Sequence, residues 1–351
     1  MNQGPHFSSS GFTKALGQMR ARRVDTFEKT ATLNEAYDSD RLRGEGTAVK
    51  YAIGAMQPLD KQYTDNTYRE GDRVKNQLEK AVLVCDFAYQ GSVTSDTHIR
   101  AHSDIDLLTL TCKFVTVDTA GPVGNPYPGN SINDLLLLRR ESIAVMRARF
   151  PEANLDESGA MSVSISGGSL RRKIDVVSSN WRNTQRYDTT GRSVFRGVDV
   201  LDCRSKSTIR NLPFLHNERI CEKDGLTIGG LRKAIRLLKS LRYDADKPPD
   251  ISSYDIAAIA YTMDNNALSV FRGAELILVE RCKWHLDKIA VDSTYREGLA
   301  VPNGTRKIFG SNGATVKGLN ELRQEVDRLL HEIKNDLQRS FRNLAAARIE
   351  Y

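Results

Sequence analysis

The sequence predicts an α+β protein, with a mixed sheet and its helices followed by a helical lobe. Two observations carry this. Between about residues 82 and 177 lie the runs rich in Val, Ile, Leu and Thr that suit strands. Beyond about Leu212 the apolar residues recur every three or four positions, the spacing of helix faces. At 351 residues the chain also exceeds one usual compact domain, so two lobes are expected. The expected division is a polar, Ser-rich disordered tail over 1–10, a lobe over 11–211 that includes N-terminal helices, and a helical lobe over 212–351.

Taken in order, Phe12, Leu16, Met19, Val24, Phe27 and Leu33 fall at helical spacing, and Gly44, Gly46, Gly54 and Pro58 are expected to interrupt any continuation. A helix over 65–81 turns Tyr68, Val74 and Leu78 inward. Strands are expected over 82–89 and 105–117. Pro, Gly and Asn make 121–130 a loop, and 134–150 reads as a helix with Leu135, Leu138 and Met146 inward. The runs 161–165 and 172–177 flank Gly167-Gly168, a hairpin signal. Helices are expected over 225–243, 253–263, 267–289 and 319–347. The last carries a stripe from Leu319 through Leu322, Val326, Leu329, Ile333, Leu337 and Phe341 to Leu344, read as intramolecular core.

Apolar residues at 40% and charged residues at 27% allow a full core. The net charge of +7 suits polyphosphate or nucleic-acid ligands without requiring them. No apolar run is long enough to span a membrane, and the N-terminus lacks the apolar region of a signal peptide. Five widely separated cysteines with no CxxC argue against structural zinc and a disulfide framework, and are read as buried free thiols in a reducing cytoplasm.

The chemistry concentrates between residues 91 and 106. Two-metal phosphoryl transfer needs a tight turn whose N–H groups hold a triphosphate, paired carboxylates that bridge divalent cations, and one further acid. Gly91-Ser92 suits the turn, because glycine lets backbone approach phosphate and serine adds a hydroxyl at a helix start. Asp104 and Asp106, two apart on a strand, aim together while Ile105 is buried behind them. For the third acid, Asp175 within Lys173-Ile174-Asp175-Val176-Val177 is preferred to its rival Asp199, because its flanks form the stronger strand. His98 and His102 are not read as ligands, since Mg²⁺ prefers hard oxygen donors. The basic residues Arg139, Arg140, Arg171 to Lys173, Arg192, Arg196, Arg204 and Arg210 are read as scattered surface charge.

Gly91-Ser92, Thr97 and Ser103-Asp104-Ile105-Asp106-Leu107 resemble the signature of the DNA polymerase β-type nucleotidyltransferase superfamily. Within it the sequence is most similar to the cGAS/DncV-like (CD-NTase) and oligoadenylate-synthase branch. The resemblance covers about residues 80–260 and implies a polymerase β-like catalytic core. It also implies a triphosphate-binding lysine at Lys239, on the helix where Leu231, Ile235, Leu238 and Leu241 share one face and Arg232, Arg236 and Lys239 an adjacent one. It implies phosphate and base contacts from Ser253 and Tyr254. Val93 and Ser178 depart from the pattern, standing where many relatives have an aromatic residue and proline. No zinc-ribbon insertion is present.

The expected enzyme uses two Mg²⁺ ions, or Mn²⁺, held by Asp104, Asp106 and Asp175. It joins NTPs into a cyclic or linear oligonucleotide, with Gly91, Ser92 and Lys239 on the outer phosphates. The resemblance implies an alarm signal in bacterial anti-phage defence, read by a downstream effector, from a cytoplasmic enzyme needing neither nucleic acid nor membrane. The alternatives are extension of RNA or DNA ends, nucleotide transfer to tRNA or protein, and an inactive scaffold.

Overall fold

The sheet is built around one long parallel strand pair, and its other strands are arranged on the two sides of that pair. The computed structural model describes residues 10–23, 42, 44–81, 85–100, 103–118 and 126–349. Along the chain the elements are α1 (Ser10–Arg23), α2 (Thr47–Met56), α3 (Lys61–Lys80), β1 (Cys85–Gln90), β2 (Ile105–Val117), α4 (Ser131–Arg149), β3 (Asn154–Asp156), β4 (Val163–Gly167) and β5 (Leu170–Asn183). They continue as α5 (Gln185–Thr190), β6 (Gly197–Asp202), β7 (Ser207–Asn211), α6 (Pro213–Leu226), α7 (Gly230–Asp244), α8 (Ser253–Tyr261), α9 (Asn265–Leu268), α10 (Ile277–Val291), α11 (Ser293–Gly298) and α12 (Val316–Ile349). Two compact units result, one over Leu59–Arg219 and one combining the chain up to Pro58 with the chain from Ile220 onward.

In the first unit β2 runs antiparallel to β1 and parallel to β5. A parallel pair cannot close through a tight turn, so the connection crosses over and includes α4. The far edge of β5 is shared, β4 pairing with its first half and β6 with its second. Gly167 and Gly168 take φ of +75° and +58° in the β4–β5 turn, which L side chains adopt at a cost. Strand alternation sorts the side chains. Ile105 and Leu107 of β2 and Ile174 and Val176 of β5 pack against Val74 and Leu78 of α3 and Ile143 and Met146 of α4. Leu108, Leu110 and Val177 face the other way, onto Val198 and Val200 of β6.

The helical unit corrects the expected division, because α1 and α2 belong to it and not to the sheet. Phe12, Leu16 and Met19 of α1 and Ala52 and Met56 of α2 share one core with Leu231, Ile235 and Leu238 of α7. Polar contacts fix the assembly. The Tyr51 hydroxyl donates to Asp244 at 2.8 Å, and the buried Asp336 carboxylate accepts from the Ala48 N–H at 2.8 Å, capping α2. A Cβ on Gly46 would stand 2.0 Å from the Asp336 carboxyl carbon, so this close approach requires glycine there.

Several expected elements shift. Gly54 lies inside α2, whose buried, alanine-rich face outweighs the glycine penalty. The single helix expected over 225–243 breaks between α6 and α7, where Ile228 and Gly229 take φ of +55° and +78°. Likewise 267–289 divides into α9 and α10. Strands β3, β6 and β7 were not expected from the periodicity. The α12 stripe is core from Leu319 to Ile333, but Leu337 and Phe341 are exposed. Cys112 and Cys221 are exposed, and among the thiols only Cys282 is fully buried. Val24, Phe27, Leu33, His102, the side chain of Leu344, the tail over 1–9 and the loop over 121–125 lie outside the described residues.

Candidate active site

The parallel register sets Asp106 of β2 directly beside Asp175 of β5. Both point to the face opposite the α3–α4 core, because their neighbours Ile105, Leu107, Ile174 and Val176 occupy that core. Asp104 immediately precedes β2 and is more exposed than Asp175, 37% against 15% for the side chains. Burial pushes the Asp106 carboxyl up to about 7, and the nearby charges of Asp175 and then Asp104 add to it. Three acids so placed repel one another, and cationic charge is what they require.

Lys173 supplies some of it. Two residues before Asp175 on the same face, its Nζ donates to Asp175 Oδ2 at 3.0 Å and to Asp104 Oδ2 at 3.3 Å. Ser164, paired with Asp175 across β4, donates its hydroxyl to the other carboxylate oxygen. Sequence reasoning passed over Lys173 as surface charge; its i, i+2 spacing from Asp175 was the available signal.

Gly91 follows β1, whose last residue Gln90 pairs with Asp106. Gly91 takes φ of +95°, and a Cβ there would stand 2.5 Å from Asp106 Oδ2. The glycine therefore lets backbone lie against the acid as well as forming the turn. Residues 92–96 form successive turns and not the expected helix start, and the Thr97 N–H closes them on the Ser92 carbonyl at 2.9 Å. The Thr94 hydroxyl donates to the Gly91 carbonyl at 2.8 Å and accepts from the Asn217 side chain at 2.7 Å. Ser103 donates to the Arg100 carbonyl at 2.7 Å. His98 is buried with Nε2 3.0 Å from the Thr64 hydroxyl, in a packing role.

Asp199, the rival third acid, is buried on β6 opposite Asn180 and forms an ion pair with Arg182 at 2.7 Å. Its charge is already answered. Lys239, Ser253 and Tyr254 all belong to the helical unit. Lys239 is buried on α7. Ser253 is the first residue of α8, which Ser252 caps by accepting from the Asp255 N–H at 3.0 Å. The Tyr254 hydroxyl donates to Asn303 at 3.3 Å, and the Arg306 guanidinium lies 5.3 Å from its ring centre.

The oxygen donors of Asp104, Asp106 and Asp175 suit a hard divalent cation such as Mg²⁺. Among the described residues no three His, Cys, Asp or Glu side chains converge into a ready-made ligand cluster. Lys173 contacts two of the three acids, Asp104 and Asp175. The donor chemistry fits, and Asp104, Asp106 and Asp175 would hold the cation.

A cyclic dinucleotide synthase CdnE from Yersinia aleksiciae is 37% identical over 327 residues, covering 90% of this chain and 86% of that protein. The chain belongs to the cGAS/DncV-like nucleotidyltransferases, the CD-NTases. A c-di-GMP synthase from a Lachnospiraceae bacterium is 30% identical over 287 residues, 73% of this chain and 80% of that protein. The solved structure of a STING-associated CdnE c-di-GMP synthase from Capnocytophaga granulosa matches with a TM-score of 0.77 at 27% identity, covering 92% of this chain and 99% of that one. No family model matches the chain. As a CD-NTase the chain is a nucleotidyltransferase that joins NTPs, and its mixed sheet and long C-terminal helix are those of the family fold. Among the described residues no helix is long and apolar enough to cross a membrane.

Proposed function

We propose that this CD-NTase makes a cyclic dinucleotide at a two-metal site formed by Asp104, Asp106 and Asp175. The observation that carries the reading is the direct pairing of Asp106 with Asp175 on parallel strands, with Asp106 pushed up to about 7 by burial and its acidic neighbours. Such an arrangement is costly without cations and consistent with them. Two Mg²⁺ ions, or Mn²⁺, held by these acids would lower the pKa of the acceptor hydroxyl and offset charge on the departing pyrophosphate.

The chain's own residues bind and orient. Asp106 lies with the Gly91 backbone close to its carboxylate and Asp175 beside it on the paired strand. The backbone of Gly91 and Ser92 is assigned to the outer phosphates. Lys239 is assigned there too, and Ser253 and Tyr254 to phosphate and base, on the resemblance alone. In each transfer the acceptor hydroxyl oxygen bonds to the α-phosphorus, the bond to the β-phosphate oxygen breaks, and the hydroxyl proton leaves to solvent. A second transfer between the two nucleotides closes the ring.

A cyclic dinucleotide is favoured because the relatives from Yersinia aleksiciae and the Lachnospiraceae bacterium are named for such products. A role in bacterial anti-phage signalling, with a downstream effector reading the product, is supported by the STING association of the Capnocytophaga enzyme.

The test incubates the protein with each NTP, with GTP alone and with all four, plus Mg²⁺ or Mn²⁺, and identifies products by mass spectrometry. A phosphatase-resistant cyclic dinucleotide absent from Asp104→Asn/Asp106→Asn is expected. Identical product profiles from the two proteins would overturn the site. Products formed only with added RNA would favour end extension, and label transferred to tRNA or protein would favour the toxin-like reading.

A further inference from the structure

On α10, Ile277, Trp284 and Val291 are spaced seven residues apart, two helical turns each, so they form a single stripe. All three are solvent-exposed, at 45%, 62% and 79%. The opposite face of the helix carries Leu278, Val279, Cys282, Leu286 and Ile289, which are fully buried in the helical core. Folding of one chain therefore uses one apolar face of α10 and leaves a second in water, a pattern that marks an interaction surface.

The charges beside the stripe indicate what covers it. Glu280 and Arg281 lie between Ile277 and Trp284, and Asp287 and Lys288 lie between Trp284 and Val291. When a second α10 lies antiparallel about a two-fold axis through Trp284, each residue meets the one equally far on the other side of that tryptophan. Glu280 then meets Lys288 of the other copy, Arg281 meets Asp287, and Ile277 meets Val291. Every charged pair is opposite in sign and both apolar ends meet apolar ends. A two-fold interface must be self-complementary, and this helix face is. A cavity of about 590 Å³ adjoins Trp284, walled by Met263, Ala267, His285 and Tyr295 together with Arg281 and Lys288, so the stripe and two of its flanking charges border open space.

Three of the four charged groups also have contacts within their own chain. Arg281 uses Nη1 for the carbonyls of Asn266, Ala267 and Ser269. Asp287 pairs with Lys283 and Arg323, and the Lys288 ammonium lies 4.0 Å from the Tyr295 ring centre.

We infer that the protein forms an isologous homodimer through α10, centred on Trp284. Sedimentation equilibrium of the full chain over a wide concentration range, at low and high salt, tests it. The expected result is a monomer–dimer equilibrium. Trp284→Glu should weaken the dimer roughly tenfold or more while leaving the far-ultraviolet circular dichroism unchanged. Glu280→Lys sets like charges opposite each other twice per dimer and should weaken it on the order of fivefold. Glu280→Lys/Lys288→Glu restores both pairs and should recover most of that loss. A chain that stays monomeric at all concentrations overturns the proposal. So does a dimer untouched by Trp284→Glu, or a double variant no better than the single one.

Discussion

On β2, adjacent residues serve opposite ends. Ile105 and Leu107 are fully buried against α3 and α4, whereas Asp106 between them faces Asp175 across the parallel pair. The same alternation divides β5, with Ile174 and Val176 in the core and Lys173 and Asp175 on the acidic face. One face is stabilised by removing apolar surface from water. The other gathers like charges that folding alone opposes, at a position whose backbone the core face holds rigid. The comparison teaches that the stability of one face supports the electrostatic cost of the other, so substitutions one residue apart should separate folding from chemistry.

The sharpest break is Asp106→Asn. Product formation should fall on the order of 10³-fold or more, while the melting temperature holds or rises because a buried acid repelled by Asp175 and Asp104 has gone. Calorimetry alongside product assay checks both halves. Its neighbour supplies the converse: Leu107→Ala should cost about 3 kcal/mol in urea unfolding, and the molecules that remain folded should keep their turnover. Equal losses of stability from both variants would erase the distinction between the faces.

Gly91→Ala joins the two effects. The new methyl meets Asp106 Oδ2 and forces an alanine into φ of +95°, so activity should drop about 100-fold with a stability loss of about 1–3 kcal/mol. Serine at this position should do no better, and that pairing separates the steric cause from polarity.

Proton linkage gives a gentler probe. In the folded chain Asp106 keeps its proton to about 7, against 3.8 for the free group, so the native state binds more protons than the unfolded state between those values. With chelator present, stability should therefore fall as pH rises from about 4 to about 7 and level off above. Asp106→Asn should flatten that slope, and Mg²⁺ should raise the melting temperature more at pH 8 than at pH 5. The smallest effect is expected from Lys173→Met. Removing a part-exposed ammonium should cost under about 1 kcal/mol in chelator and enlarge the stabilisation given by Mg²⁺, because the cation no longer competes with Lys173 for Asp104 and Asp175.

Much of the sheet unit was legible in the residues. β2 occupies the span expected, and α3, α4 and the Gly167-Gly168 hairpin lie within a few residues of theirs, because alternation, helical spacing and turn chemistry are local properties. Gly91, Asp104 and Asp106 stand out for the same reason, sharing one short segment. Lys173 did not, because a lysine beside arginines looks like surface charge until the chain brings it between two acids. The helical breaks at 227–229 and 269–276 were also missed, although each contains a glycine at positive φ, Gly229 and Gly273, that was the available local signal.

The sequence by itself determined the strand that presents Asp106, the acids available to join it and the CD-NTase resemblance, because each is written in residues close along the chain. Only the tertiary structure decided that Asp175 lies beside Asp106 while Asp199 is neutralised by Arg182, that α1 and α2 pack with α7, and that α10 keeps a second apolar face in water. The physical reason is common to all three. Pairing and burial depend on which distant segments meet, and no local periodicity records that choice.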